Sequence, residues 1–117
     1  MEHIETVNAK ITGTMLGIED HGIMTCNLQM EWPSHFQGFG GYCLSTFNKQ
    51  LNRRVGTAYG MQFILEILET VGVEKWEDLK GKYVRIKTTH EKMLQIGHIT
   101  EEKWFNPSKD LEFIKNL

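Results

Sequence analysis

Cysteine and proline are scarce in this chain, two of each in 117 residues, and each scarcity excludes something. Cys26 and Cys43, without a C-x-x-C spacing, cannot build a disulfide framework or a four-cysteine zinc site, and they read as reduced structural thiols. Two prolines leave no polyproline segment. No apolar run approaches the roughly 18 residues of a membrane-spanning helix. The polar start MEHIETVNAK has no leader character, so the expectation is a cytoplasmic protein with no membrane partner. An excess of charge is also missing. Thirteen Lys and Arg against fifteen Asp and Glu leave a formal net charge of −2, which removes whole-molecule attraction to nucleic acid and leaves only local patches. The length fits one domain, 1–117, around one core.

What is present is periodicity. Met24, Cys26, Leu28, Met30 and Trp32 alternate with polar residues, the period of a strand with one buried face. The segment 11–18 reads as the hairpin partner of this strand, expected over 23–32, with EDHG as the turn because Asp20 bonds its own backbone and Gly22 accepts a positive φ. PSHFQG then breaks the ladder at Pro33, a third strand is expected over 39–47, and NKQLNRRVG reads as a loop. From Thr57 the period changes: Met61, Ile64, Leu65, Leu68 and Val71 recur at helical spacing, predicting a helix over 58–71 with that file facing the core. Thr57 is its N-cap and Gly72 its left-handed stop.

Trp76 and Leu79 anchor a short helical turn closed by Gly81. YVRIKT puts Tyr83, Arg85 and Lys87 on one strand face against Val84, Ile86 and Thr88. MLQIGHIT answers it as a hairpin partner, with Leu94, Ile96 and His98 opposite Met93, Gln95, Gly97 and Ile99. Asn106-Pro107-Ser108 caps a short C-terminal helix from about 109 that carries Leu111, Ile114 and Leu117. The order β-β-β-α-β-β-α predicts an α+β fold: an antiparallel sheet of about five strands packed by one main helix. Met24, Leu28, Met30, Ile64, Leu65 and Leu68 are its expected core.

The stretch HFQGFGGYCL concentrates three glycines in four positions. A phosphate cradle delivers its anion to a helix N-terminus, but YCLSTF is strand-like and no Lys-Ser or Lys-Thr pair closes the loop. Bending with close backbone approach is the favoured reading, and a nucleotide site the weaker one. His3, His21, His35, His90 and His98 include no pair at zinc-peptidase spacing. Ser34, Ser45 and Ser108 stand in no nucleophile-elbow context, and Cys43 forms a dyad with His35 or His98 only if packing joins them. No metal, cofactor or catalytic residue is therefore assigned, and a small enzyme is the last of the alternatives.

LGIEDHGIMT with QGFGGYCL, and VGVEKWEDLKGKYVRI with GHITEEKWFNP, resembles a group of small bacteriophage- and prophage-encoded proteins of unassigned function, over roughly residues 11–107. The resemblance implies a phage accessory protein made in the cytoplasm of a bacterial host, acting on an unidentified host or phage protein such as a defence or replication component. Phe36, Phe39, Tyr42, Trp104 and Phe105 are the expected protein-binding surface, and aromatic excess with two sheet edges suggests a homodimer. The alternative is nucleic-acid binding through Lys49, Arg53, Arg54, Lys82, Arg85 and Lys87, with Tyr59 and Tyr83 as stacking rings.

Overall fold

Val7, Ala9 and Ile11 alternate with Thr6, Asn8 and Lys10, so the first strand begins well before the expected segment. In the computed structural model, which describes residues 3–114, the elements are β1 (Glu5–Glu19), β2 (Ile23–Trp32), β3 (His35–Gly40), β4 (Ser45–Asn48), β5 (Arg53–Gly56), α1 (Ala58–Val71), β6 (Tyr83–Thr88), β7 (Met93–His98), β8 (Trp104–Phe105) and α2 (Pro107–Asp110). Short 3-10 turns lie at Asp20–Gly22, Trp76–Leu79 and Glu112–Ile114. The fold is α+β: a six-stranded antiparallel sheet, order β3-β2-β1-β6-β7-β8, beside a two-stranded sheet β4-β5.

β1 serves two partners. From Lys10 to Glu19 it pairs with β2, and from Glu5 to Lys10 it pairs with β6. A register shift between Ile11 and Gly13 marks the bulge at which it bends from one to the other. Because β1, β2 and β3 are joined by tight turns and β6 returns to the far side of β1, the arrangement is a Greek key. The sheet curls until β3 meets β7. Across the inside, Thr88 Oγ1 bonds the Gln37 side chain at 3.1 Å, giving a partly open barrel. Its interior holds Ile11, Leu28, Met30, Phe39, Val84, Ile86, Ile96 and Phe105.

Several expectations change here. Pro33 and Ser34 form a tight turn, with Ser34 at φ 66°, so the third strand starts at His35, pairs directly with β2, and ends at Gly40. The expected loop 48–56 is largely the β4-β5 hairpin. Its turn is held by Leu51 N–H donating to Asn48 Oδ1 at 2.9 Å. That hairpin has no apolar alternation because neither face is deeply buried: Phe47 is exposed and Val55 half-buried. A bulge between Lys87 and Thr88 resets β7, so Met93 and Ile96 both point inward. α2 starts at Pro107, capped by Asn106; Leu111 and Ile114 are buried, and Leu117 lies outside the described residues.

Helix α1 has the expected bounds and caps. Thr57 Oγ1 accepts from Gly60 N–H at 2.9 Å, and Gly72 stops the helix at φ 89°. Its inward face is different. Gly60, Phe63, Ile67, Thr70 and Val71 are buried, while Met61 and Leu65 are 61% and 47% exposed. The cause is Gly60: a Cβ there would stand 2.2 Å from the Leu44 carbonyl oxygen, so glycine alone lets the helix sit this close. Thr57 Oγ1 also donates to Leu44 O at 2.9 Å. With the N-terminus pinned there, Phe63 turns into the barrel, and Ile64 and Leu68 are left half-buried.

The core carries a titration signature. Cys26 is buried, and desolvation pushes its thiol from 9.0 up to about 12. An unfolded chain loses that proton near the ordinary value while the native state keeps it, so stability falls as pH rises between those values, by up to roughly 1.4 kcal/mol per pH unit. Burial also raises Tyr42 and Tyr59 above 10.0, which extends the loss in the same direction. Urea titrations between pH 8 and 11 should show the decline, and Cys26→Ala should flatten its early part. An equal decline in that variant removes Cys26 as the cause.

Candidate functional site

Alternation across a paired sheet sorts side chains into two faces. With the helix and the aromatic core on the inside, the outer face carries a row set by register: Phe36 opposite Glu31, Glu31 opposite Lys10, Lys10 opposite Tyr83. At about 4.8 Å per strand, this row crosses four strands in roughly 14 Å. Phe36 and Tyr83 are 62% and 58% exposed, and the Lys10 ammonium lies 5.8 Å from the Tyr83 ring centroid. A shallow groove of about 590 Å³ follows the row, lined by Lys10, Glu31, Phe36 and Tyr83 with Trp32, Ser34 and His35 at its end.

A second row runs Asn8, Arg85, Gly97, Trp104. Trp104 lies flat on Gly97, where an added Cβ would meet the indole at 2.6 Å. The Arg85 guanidinium and Lys87 ammonium stand 4.7 and 4.5 Å from the indole, within cation–π range. Arg85 is committed to holding the turn after β7. It donates to the carbonyls of His98 and Glu101, both at 2.7 Å, and pairs with Glu102 at 3.1 Å. Lys87 makes no ion pair among the described residues.

The structure divides the residues singled out from the sequence. Phe39 and Phe105 are buried and Tyr42 packs against the core, in one cluster with Tyr59 and Phe63. They form no surface: Phe39 and Phe105 lie on the inward files of β3 and β8, and Tyr42, in the loop after β3, is half-buried against Phe63. Phe36 and Trp104 do lie outside. Of the basic residues, Lys82, Arg85 and Lys87 run along or just before β6, but Lys49, Arg53 and Arg54 belong to the β4-β5 hairpin. Arg54 approaches Gly22 at the β1-β2 tip. Arg85 lies opposite Asn8, eleven residues along β1 from Glu19, a span of order 30 Å. One footprint therefore becomes two. Arg54 is occupied as well, donating to Ser45 Oγ, Ser45 O and Cys43 Sγ at 3.0, 2.8 and 3.2 Å.

The glycine stretch behaves as a close-approach device. Gly40, at φ 154°, would place a Cβ 2.2 Å from Cys26 O, and Gly41 N–H donates to that same carbonyl at 3.2 Å. The chain continues into β4 and presents no helix N-terminus at this point. Among the described residues, no group of three or more His, Cys, Asp or Glu side chains converges to hold a metal ion, and no helix is long and apolar enough to cross a membrane. Lys10 was missed as a site residue in the sequence because it falls outside every local basic run; only its register beside Tyr83 reveals it. Compared with family models, curated proteins and solved structures, the chain matches none, so the site is read from its own geometry.

Proposed function

We propose that the protein binds single-stranded nucleic acid across the outer face of its sheet. The observation that carries this is the interleaving of rings and cations on that face: exposed Phe36 and Tyr83 with Lys10 and Glu31 between them in one row, and half-buried Trp104 beside Lys87 and Arg85 in the next. Rings offer stacking surfaces to bases, lysines meet phosphates, and Arg85 positions Trp104. Partly open Greek-key barrels are a recurrent architecture for oligonucleotide and oligosaccharide binding, an analogy of fold alone. A net charge of −2 gives no whole-molecule attraction, so the electrostatic part rests on the local lysines and weakens with salt in proportion to the phosphates they meet.

Fluorescence anisotropy with a labelled oligothymidylate at low salt tests this. Tyr83→Ala should weaken binding by roughly tenfold, since stacking on one ring is worth about 1–3 kcal/mol. Lys87→Glu should weaken it and lower the slope of log K against log salt by about 0.7 or more. Arg53→Ala with Arg54→Ala should leave affinity unchanged. No saturable binding, or equal affinity in all three variants, removes the reading.

The protein-binding reading, with a host or phage protein or a second copy as partner, keeps one specific observation: Met61 and Leu65 project from the outward face of α1. It predicts association lost in a Met61→Ser/Leu65→Ser variant and unaffected by Lys87→Glu. Sedimentation showing only a 13.6 kDa species at micromolar concentration excludes the second copy.

A further inference from the structure

The groove on the outer face does not end at Phe36. Trp32, His35 and Phe36 line both that groove and a deeper cavity of about 430 Å³. The cavity lies between the start of β3 and the turn that joins β6 to β7. Its size falls within the range of small-molecule sites. Resting on the strand-binding reading above, we propose that this cavity receives one terminal nucleobase of the bound strand, and that it favours a base carrying an exocyclic amino group.

The shape of the wall argues for a flat ligand. Trp32 and His35 face each other across the Pro33–Ser34 turn, and their rings are parallel to within 3° with centroids 5.2 Å apart. His35 is held there by its own turn: Nδ1 lies 3.0 Å from the Pro33 carbonyl, an acceptor, so Nδ1 donates and the ring is fixed to its turn. Gln37 accepts from Thr88 Oγ1 through its Oε1 at 3.1 Å, which leaves its amide N–H donors for the ring nitrogen beside the amino group, such as adenine N1.

The charges argue for a base edge and against a phosphate. Glu5 and Glu91 stand at the cavity together with His3 and His90, and their exposed carboxylates accept hydrogen bonds and repel anions. Adenine, cytosine and guanine present amino donors to such acceptors. Thymine and uracil present two carbonyl oxygens and one ring N–H, a poorer match. Phosphates stay behind on the side of Lys10, where the groove carries its cation.

The test compares labelled oligothymidylates of equal length that end in thymidine or in one adenosine, at either end. Wild type should bind one adenosine-ended strand about five- to tenfold tighter, the scale of one stacked base. Gln37→Ala should abolish that preference while still binding oligothymidylate, His35→Ala, at the junction of cavity and groove, should abolish the preference and weaken both strands, and Lys87→Glu should weaken both strands alike with the preference kept. Equal affinity for the adenosine- and thymidine-ended strands at both ends overturns the cavity inference and leaves strand binding intact. If no strand binds, the strand reading has failed and free adenosine decides. Shifts in the Trp32 indole and His35 resonances in proton–nitrogen spectra retain the cavity as a nucleoside site, and their absence at millimolar adenosine overturns it.

Discussion

Phe63→Ala should cost about 3–5 kcal/mol of unfolding free energy, while Leu65→Asp, two residues along the same helix, should cost less than about 1 kcal/mol. Phe63 is 0% exposed and joins the two ends of the fold. Its ring lies 6.3 Å from Phe39, 4.8 Å from Tyr42, 6.2 Å from Tyr59 and 5.2 Å from Phe105, the last edge-on. Truncation removes its buried area and leaves a cavity that four other rings cannot all move to fill. Leu65 stands on the opposite side, 47% exposed, so an aspartate there keeps its hydration. Urea unfolding followed by circular dichroism measures both. If Leu65→Asp destabilises as much as Phe63→Ala, the helix orientation is wrong.

Gly40→Ala should cost about 3 kcal/mol or more, whereas Gly41→Ala, its neighbour, should cost about 1 kcal/mol. Both glycines have positive φ, 154° and 82°, so both substitutions carry conformational strain. Only Gly40 adds a collision. Its Cβ would stand 2.2 Å from Cys26 O and 2.8 Å from Asn27 Cα, atoms of a central strand that cannot yield without breaking the β2-β3 ladder. Around Gly41 no atom lies within 4 Å of the added carbon. The ratio of the two effects, read from midpoints at constant m, separates close approach from turn geometry. Equal losses would make φ the whole explanation.

The candidate site was legible in half. Period-two alternation in YVRIKT places Arg85 and Lys87 on a wet face, because a strand with a buried side must present its other side outward. Gly97 was visible as an interruption in an apolar file, but its reason, the indole of Trp104 lying on it, depends on the β7-β8 pairing. Lys10 and Tyr83 are 73 positions apart in the chain. Nothing local relates them, and the β1-β6 register makes them neighbours.

By itself the sequence determined the bounds of two elements whose causes lie within a few residues. β2 has its expected bounds, Ile23–Trp32, because five alternating apolar residues leave one pairing parity. α1 has its expected bounds because Thr57 caps one end and Gly72 stops the other. Tertiary structure alone decided which side of α1 is inside. α1 is apolar on two faces, so periodicity permits either, and the close approach of Gly60 to Leu44 O selects the face of Phe63. The same holds for Phe39 and Phe105. An aromatic side chain reads alike whether it is meant for a partner or for the core, and only the curl of β3 toward β7, with α1 across the interior, removes those two from water.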